Sequence, residues 1–238
     1  MTTAATRRAD EIERRLRAIG TLERAAQEKR YLKSTLDHVG ATVPQVRREA
    51  KRLAKDLPSP AELLSLVDAL WSRPVHERRT CATYLLHQRV DLLGPDDIPM
   101  LERLVRDSRT WALVDVLAGD VLGGLLVHYP EASVDSWARD GDFWVRRAAL
   151  LSQLAPLKAG APFACFGGYA EAMLDEREFF IRKAMGWVLR ETGKRRPEEV
   201  YEWLLPRVRR TSGITLREAT KYLPPEQRRA LLTARSGS

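Results

Sequence analysis

Apolar residues return every three or four positions along nearly the whole chain, as in Leu63, Leu66, Val67 and Leu70, or Leu101, Leu104 and Val105. That spacing stacks them on one side of a helix, and sustained alternation of period two, the mark of a half-buried strand, is missing. The pattern predicts an all-α chain. It is punctuated at Pro44, Pro58 to Pro60, Gly94-Pro95, Pro130, Gly141, Gly160 to Pro162, Pro197 and Gly213, where a proline can open a helix and a glycine can close one. Between these breaks fit about a dozen helices of roughly 10 to 17 residues.

A phrase recurs inside the pattern: HERRTCA at 76–82, FWVRRAA at 143–149, FFIRKAM at 179–185 and TLREAT at 215–220. Arg146, Arg182 and Arg217 are separated by 36 and 35 residues, and Arg78 lies 68 before Arg146, about two further periods. Periods of this size belong to helical-pair solenoids. The expected architecture is a curved α-α superhelix of HEAT-like repeats over 1–238, one domain, with equivalent positions on a concave face. Arginines repeated there, Arg146 and Arg182 among them, would form a basic groove of duplex dimensions. The competing use of such arginines is to cap neighbouring repeats or to bridge acids such as Glu178 and Glu218.

The chain has 238 residues, 44% hydrophobic and 30% charged, the balance of a folding globular protein. Forty Lys and Arg against 32 acids give a formal charge of +8 and a pI near 9.8, which suits a polyanionic partner and equally suits plain solubility. Cys81 and Cys165 are too few for a disulfide framework, no CxxC pair occurs, and His38, His76, His87 and His128 lack metal-ligand spacing. The amino-terminal segment is charged throughout and no stretch of about 18 apolar residues stands out, so neither secretion nor a membrane is expected. A cytoplasmic monomer is the simplest expectation.

Phosphate loops of the GxxxxGK type, GxGxxG, GxSxG and HExxH are all absent. What remains is a set of aromatics with one carboxylate: Trp111 and Asp115 in SRTWALVDVLAGD, Trp144 and Arg147 in DFWVRRAAL, and Trp187 and Arg190 in FFIRKAMGWVLRE. Trp111 and Asp115 are four apart and share a helix face. Leu113, Val114, Val116 and Leu117 surround them, and an ionised Asp in such company is costly unless paired. Tryptophans of helical arrays also serve as core, and such an aspartate also serves as a cap or an ion-pair partner.

These blocks, with KRYLKSTLDHVGATVPQVRR and TLREATKYL, resemble the DNA alkylation repair enzymes of the AlkD-like class, HEAT-like DNA glycosylases, over nearly the whole chain. The resemblance implies that Trp111, Asp115 and Trp187 form a catalytic cleft, that Arg147 and Arg190 contact the DNA backbone, and that Tyr31 faces DNA. The same DNA-facing set takes in Thr42, in the amino-terminal turn, together with Arg146, Arg182 and Lys183. Two departures stand out. Thr110 and Ala112 flank the tryptophan where the family pattern has an aromatic and an acid, and Thr42-Val43 replaces a Gln-Thr pair before the proline.

The implied reaction removes N3- or N7-alkylated purines from double-stranded DNA, in base excision repair. An alkylated purine is already cationic and departs readily, so a carboxylate can act on the sugar instead, stabilising its oxocarbenium character and positioning water. The resemblance further implies capture of backbone and sugar without a base-flipping pocket. No metal or organic cofactor is expected, and no amine nucleophile; Lys183 meets phosphate or solvent. Two alternatives stay open: the same chemistry on bulky adducts of genotoxic natural products, and a non-catalytic scaffold binding DNA or protein.

Overall fold

The computed structural model describes residues 3–237, is 75% helical, and has no strand among the described residues. The fold is all-α, consistent with a helical-repeat superhelix. Packing divides the chain into two compact units, Met1–Val121 and Leu122–Ser238. Repeats that touch only their neighbours can form more than one compact block, which a single-core globule cannot.

The first unit holds α1 (Thr3–Ile19), α2 (Leu22–Leu32), α3 (Val43–Ala54), α4 (Pro60–Trp71), α5 (His76–Gln88), α6 (Ile98–Ser108) and α7 (Trp111–Asp115). Its predicted breaks are helix starts. Thr42 accepts the Gln45 backbone N–H while the Gln45 side chain accepts that of Thr42, a reciprocal cap ahead of Pro44, and Ser59 caps α4 ahead of Pro60.

Helix α5 lies at the centre and buries ten residues, His76 to Arg78 and Thr80 to Leu86. Arg78 is only 1% exposed. Its Nε and Nη2 donate to the carbonyls of Leu70 and Ala69 at 3.2 and 2.6 Å, and Nη1 reaches Asp10 and Glu13 on α1 at 2.9 and 2.7 Å. Those carbonyls lie in the last turn of α4, where helical N–H donors run out, and the Ser72 hydroxyl shares that of Ala69. Arg78 thus belongs inside the unit and not to an exposed basic row.

Helix α2, in contrast, buries only Ala25. Its position is set by backbone. A Cβ on Gly20 would lie 2.0 Å from the Val39 oxygen, and one on Gly40, at φ +80°, 2.0 Å from the Thr21 oxygen. Only glycine permits so close an approach. The loop after α2 is pinned to the start of α5 by an isolated parallel bridge, in which Asp37 N–H donates to the Pro74 carbonyl and His76 N–H to that of Asp37, both at 2.8 Å. The buried Glu77 carboxylate accepts the N–H groups of Val39 and Gly40 at 3.0 and 2.6 Å.

The second unit holds α8 (Gly123–His128), α9 (Phe143–Leu151), α10 (Leu154–Lys158), α11 (Phe163–Ala172), α12 (Phe179–Gly193), α13 (Pro197–Leu204), α14 (Gly213–Ala219) and α15 (Pro225–Ser236). Here α12 is central, packing on α9, α13 and α14. A Cβ on Gly186 would stand 2.8 Å from the Glu218 Cβ, so glycine lets α14 close on α12. The breaks predicted at Pro197 and Gly213 open α13 and α14.

From α7 the helix continues through a π-helical stretch, Val116–Leu122, into α8. Among the described residues this run, Trp111–His128, is one helix long and apolar enough to cross a membrane by length and composition, contrary to the reading of the sequence. More than half of it is buried, as in the core helix of a folded unit.

Candidate functional site

The first unit presents Trp111 and Asp115 at the two ends of α7, one turn apart and both half-buried. The π-helical stretch begins at the next residue, Val116. Such widened turns displace backbone from the regular ladder and often accompany functional groups. The indole of Trp111 meets the ring of Tyr31 edge-on, 6.0 Å between centres at 86°. Tyr31 is 74% exposed, so this aromatic pair offers one ring to solvent. Thr110, in place of the family's aromatic, is buried; its backbone is extended ahead of α7 and its hydroxyl makes no hydrogen bond. Ala112 adds only a methyl group beside the tryptophan.

Two residues before Trp111, Arg109 takes a left-handed conformation at φ +47° and remains exposed. It lines a polar cleft of about 240 Å³ with Ser34, Thr35 and Arg79. Arg79 is fixed there by donation to the Asp107 carbonyl at 2.7 Å, with its guanidinium 5.0 Å over the Trp71 ring. A second groove of about 410 Å³ in this unit is lined by Arg47, Lys51, Tyr84, His87 and Asp120, the Arg47 guanidinium lying 4.5 Å over Tyr84. Of these four cations only Arg79 falls in the recurring phrase, beside Arg78, and Arg109, Arg47 and Lys51 lie outside it, so the period could not point to them. Thr42, expected to face DNA, spends its hydroxyl on the α3 cap.

In the second unit, Trp187 is half-buried on α12, and Arg190 follows three residues later. Arg190 pairs with Glu218 and, at 3.2 Å, with Glu191. Arg146 pairs with Glu176 at 2.8 Å and donates to the Asp140 carbonyl at 2.6 Å. Arg182 donates to the Glu176 carbonyl at 2.7 Å. Arg147 is 3% exposed and donates to the Phe180 carbonyl, its guanidinium 5.8 Å from that ring. The repeated arginines therefore serve in large part as the stitches that the second use of the pattern predicted, with Glu218 among the acids. Lys183 differs: it is exposed, its ammonium 5.8 Å from the Phe179 ring. Trp144 is core, packed on Phe143 and Phe180 at 4.5 and 5.1 Å.

One cluster joins two histidines that the sequence reading set aside for lack of metal-ligand spacing. Glu28 of α2, His38 of the following loop and His76 of α5 bring a carboxylate oxygen and two ring nitrogens within 4.8 Å of one another. The imidazoles stack, 4.5 Å between centres at 11°. Burial pushes the His76 pKa down to about 4, aided by His38 and opposed by Glu28, so its ring is neutral at pH 7. Burial pushes the Glu28 carboxyl up, but the adjacent His38, His76 and Arg24 outweigh it and hold the group below its ordinary value. Spacings of 10 and 38 residues follow no ligand motif; only the bridge at Asp37 brings these groups together.

The fold places the chain among all-α proteins of helical-repeat type, and the comparisons with known proteins specify the family. The family model for DNA alkylation repair enzymes matches residues 12–223, and the chain belongs to that family. Among solved structures, a predicted DNA alkylation repair enzyme from Enterococcus faecalis is similar at 26% identity and a TM-score of 0.76, over 87% of this chain and 97% of that one. No curated protein matches. The family assigns the protein an enzymatic role in the repair of alkylated DNA.

Proposed function

We propose that the protein is a monofunctional DNA glycosylase that hydrolyses the N-glycosidic bond of N3- and N7-alkylated purines in duplex DNA. The observation that carries this reading is the pair Trp111 and Asp115, a ring and a carboxylate one turn apart, half-buried at the head of a π-distorted helix in a DNA alkylation repair enzyme. As the bond to the cationic base lengthens, its electron pair leaves with the base and positive charge grows on the deoxyribose. Asp115 stabilises that charge and orients a water, whose oxygen bonds to the anomeric carbon and whose proton passes to solvent. The Trp111 face, extended by Tyr31, favours the cationic nucleotide by about 0.5 to 2 kcal/mol per well-placed contact. Trp187 is the second unit's candidate for the same work, and an abasic site is the product.

Arg109 and Arg79 in the first unit and Lys183 in the second are the proposed phosphate contacts. Arg146, Arg182 and Arg190 join them only by exchanging acids or carbonyls for phosphate. The small residue at Ala112 favours a second reading of the same chemistry, on bulkier alkylpurine adducts.

Release of 7-methylguanine and 3-methyladenine from methylated duplex DNA, in EDTA, tests the proposal with wild type and Asp115→Asn. Wild-type release, slowed about a hundredfold or more in the variant with DNA affinity retained, is the expected outcome. Equal release by both removes Asp115 from the chemistry. Release of neither base, despite duplex binding, moves the assay to bulky adducts, and inactivity there leaves a DNA-binding scaffold.

A further inference from the structure

Four buried polar atoms of one cluster lack a hydrogen bond within 3.5 Å: Glu28 Oε2 and His38 Nδ1, which face each other as a long pair at 3.6 Å, the other ring nitrogen of His38, and His76 Nδ1. The side chain of His38 is 1% exposed and His76 as a whole 3%. Desolvated polar groups are costly when unpaired, and folded proteins rarely leave several in one place. The orientation of His76 is informative. The Thr80 hydroxyl gives its single proton to the His76 carbonyl at 2.9 Å, so toward His76 Nε2, 3.3 Å away, it acts as acceptor. With the ring proton on Nε2, the buried Nδ1, which has no hydrogen-bond partner, carries a bare lone pair. A ring held in this way by its other nitrogen is the arrangement found behind metal-bound histidines.

We propose that Glu28, His38 and His76 bind one divalent transition-metal ion, zinc fitting best, and that the ion ties α2 and its loop to α5. Two imidazoles and a carboxylate form a donor set suited to zinc, with a fourth position for water. Bonds of about 2.0 to 2.1 Å place tetrahedral donors roughly 3.4 Å apart. Glu28 Oε2 and His38 Nδ1 already stand 3.6 Å apart, and the whole set fits within 4.8 Å. Closing it takes shifts of up to about 1.4 Å and a tilt of His38 out of its stack. The ion supplies what α2 lacks: with only Ala25 buried, that helix has little apolar packing to hold it, and Tyr31 sits three residues beyond Glu28. The role is structural and separate from the chemistry assigned to Asp115.

The test uses the full chain, stripped with chelator, reloaded with excess Zn²⁺ and desalted. One equivalent of zinc by mass spectrometry, a higher melting temperature on loading, and at least a tenfold weaker affinity in Glu28→Gln and in His38→Gln are expected. Less than a tenth of an equivalent on wild type, or full retention by both variants, overturns the proposal. Glu28→Gln lies on the peripheral helix, so it remains informative if His38→Gln fails to fold. Base excision by stripped protein, assayed below its melting point, is expected to continue, so loss of zinc binding and loss of glycosylase activity are distinguishable.

Discussion

Helices α2 and α5 are built from similar residues, LERAAQEKRYL and HERRTCATYLLHQ, and are held in opposite ways. Helix α5 buries ten of its thirteen residues, a glutamate and an arginine among them, because neighbouring elements supply a partner for each charge. Arg78 finds two carbonyls in the last turn of α4 and two carboxylates; Glu77 finds two backbone N–H groups. Helix α2 buries one alanine and rests on glycine contacts and a polar cluster whose atoms are incompletely paired. The difference shows that charge in a sequence does not mark a surface helix. What decides burial is whether the fold offers complementary groups.

The largest effect expected from breaking this contrast is at Arg78. Arg78→Met removes the buried cation between Asp10 and Glu13, leaving them to the more exposed Arg73 and Arg17, and takes the donor from the Leu70 carbonyl; it should cost about 3 kcal/mol in urea unfolding. A loss below about 1 kcal/mol would mean that packing alone holds α5. Gly40→Ala attacks the other side, forcing a side chain onto the Thr21 carbonyl at positive φ, with an expected cost of roughly 2 kcal/mol. Its signature is local: amide exchange should quicken in α2 and its loop while α5 stays protected. Equal quickening in both helices would show that they open together. Tyr31→Ala sharpens the contrast further, because a side chain 74% exposed contributes little to stability. The melting temperature should hold, while excision slows by up to about tenfold through loss of the edge contact with Trp111.

The all-α class and the helix boundaries were legible because proline and glycine act locally: Pro44, Pro60, Pro197 and Gly213 lie at helix starts. The pairing of Trp111 with Asp115 was legible because four residues make one helical turn. The use of Arg78 stayed open between groove and stitch, since a recurring arginine looks the same whether it meets phosphate or the end of the preceding helix. The π-helical stretch after Asp115 left no recognisable trace in VLAGDVL. The meeting of Glu28, His38 and His76 was invisible for a topological reason: it depends on the bridge at Asp37 and on glycine contacts between distant segments.

The smallest effect is on the wild-type thiols, whose labelling measures the closure of α5 without altering that helix. Cys81 lies on α5, fully buried, and burial pushes its thiol up to about 12, whereas Cys165 on α11 is exposed. Only the thiolate attacks a disulfide reagent, so at pH 8 the native chain should titrate one thiol quickly, and Cys165→Ser should abolish that phase. The remaining thiol should then react at the rate at which α5 opens, and Arg78→Met should accelerate it in proportion to the stability lost, about tenfold per 1.4 kcal/mol. Gly40→Ala should accelerate it far less if α2 opens independently. Fast labelling of Cys81 in the wild type would show that the charged groups buried around α5 do not close it, and the contrast with α2 would fail.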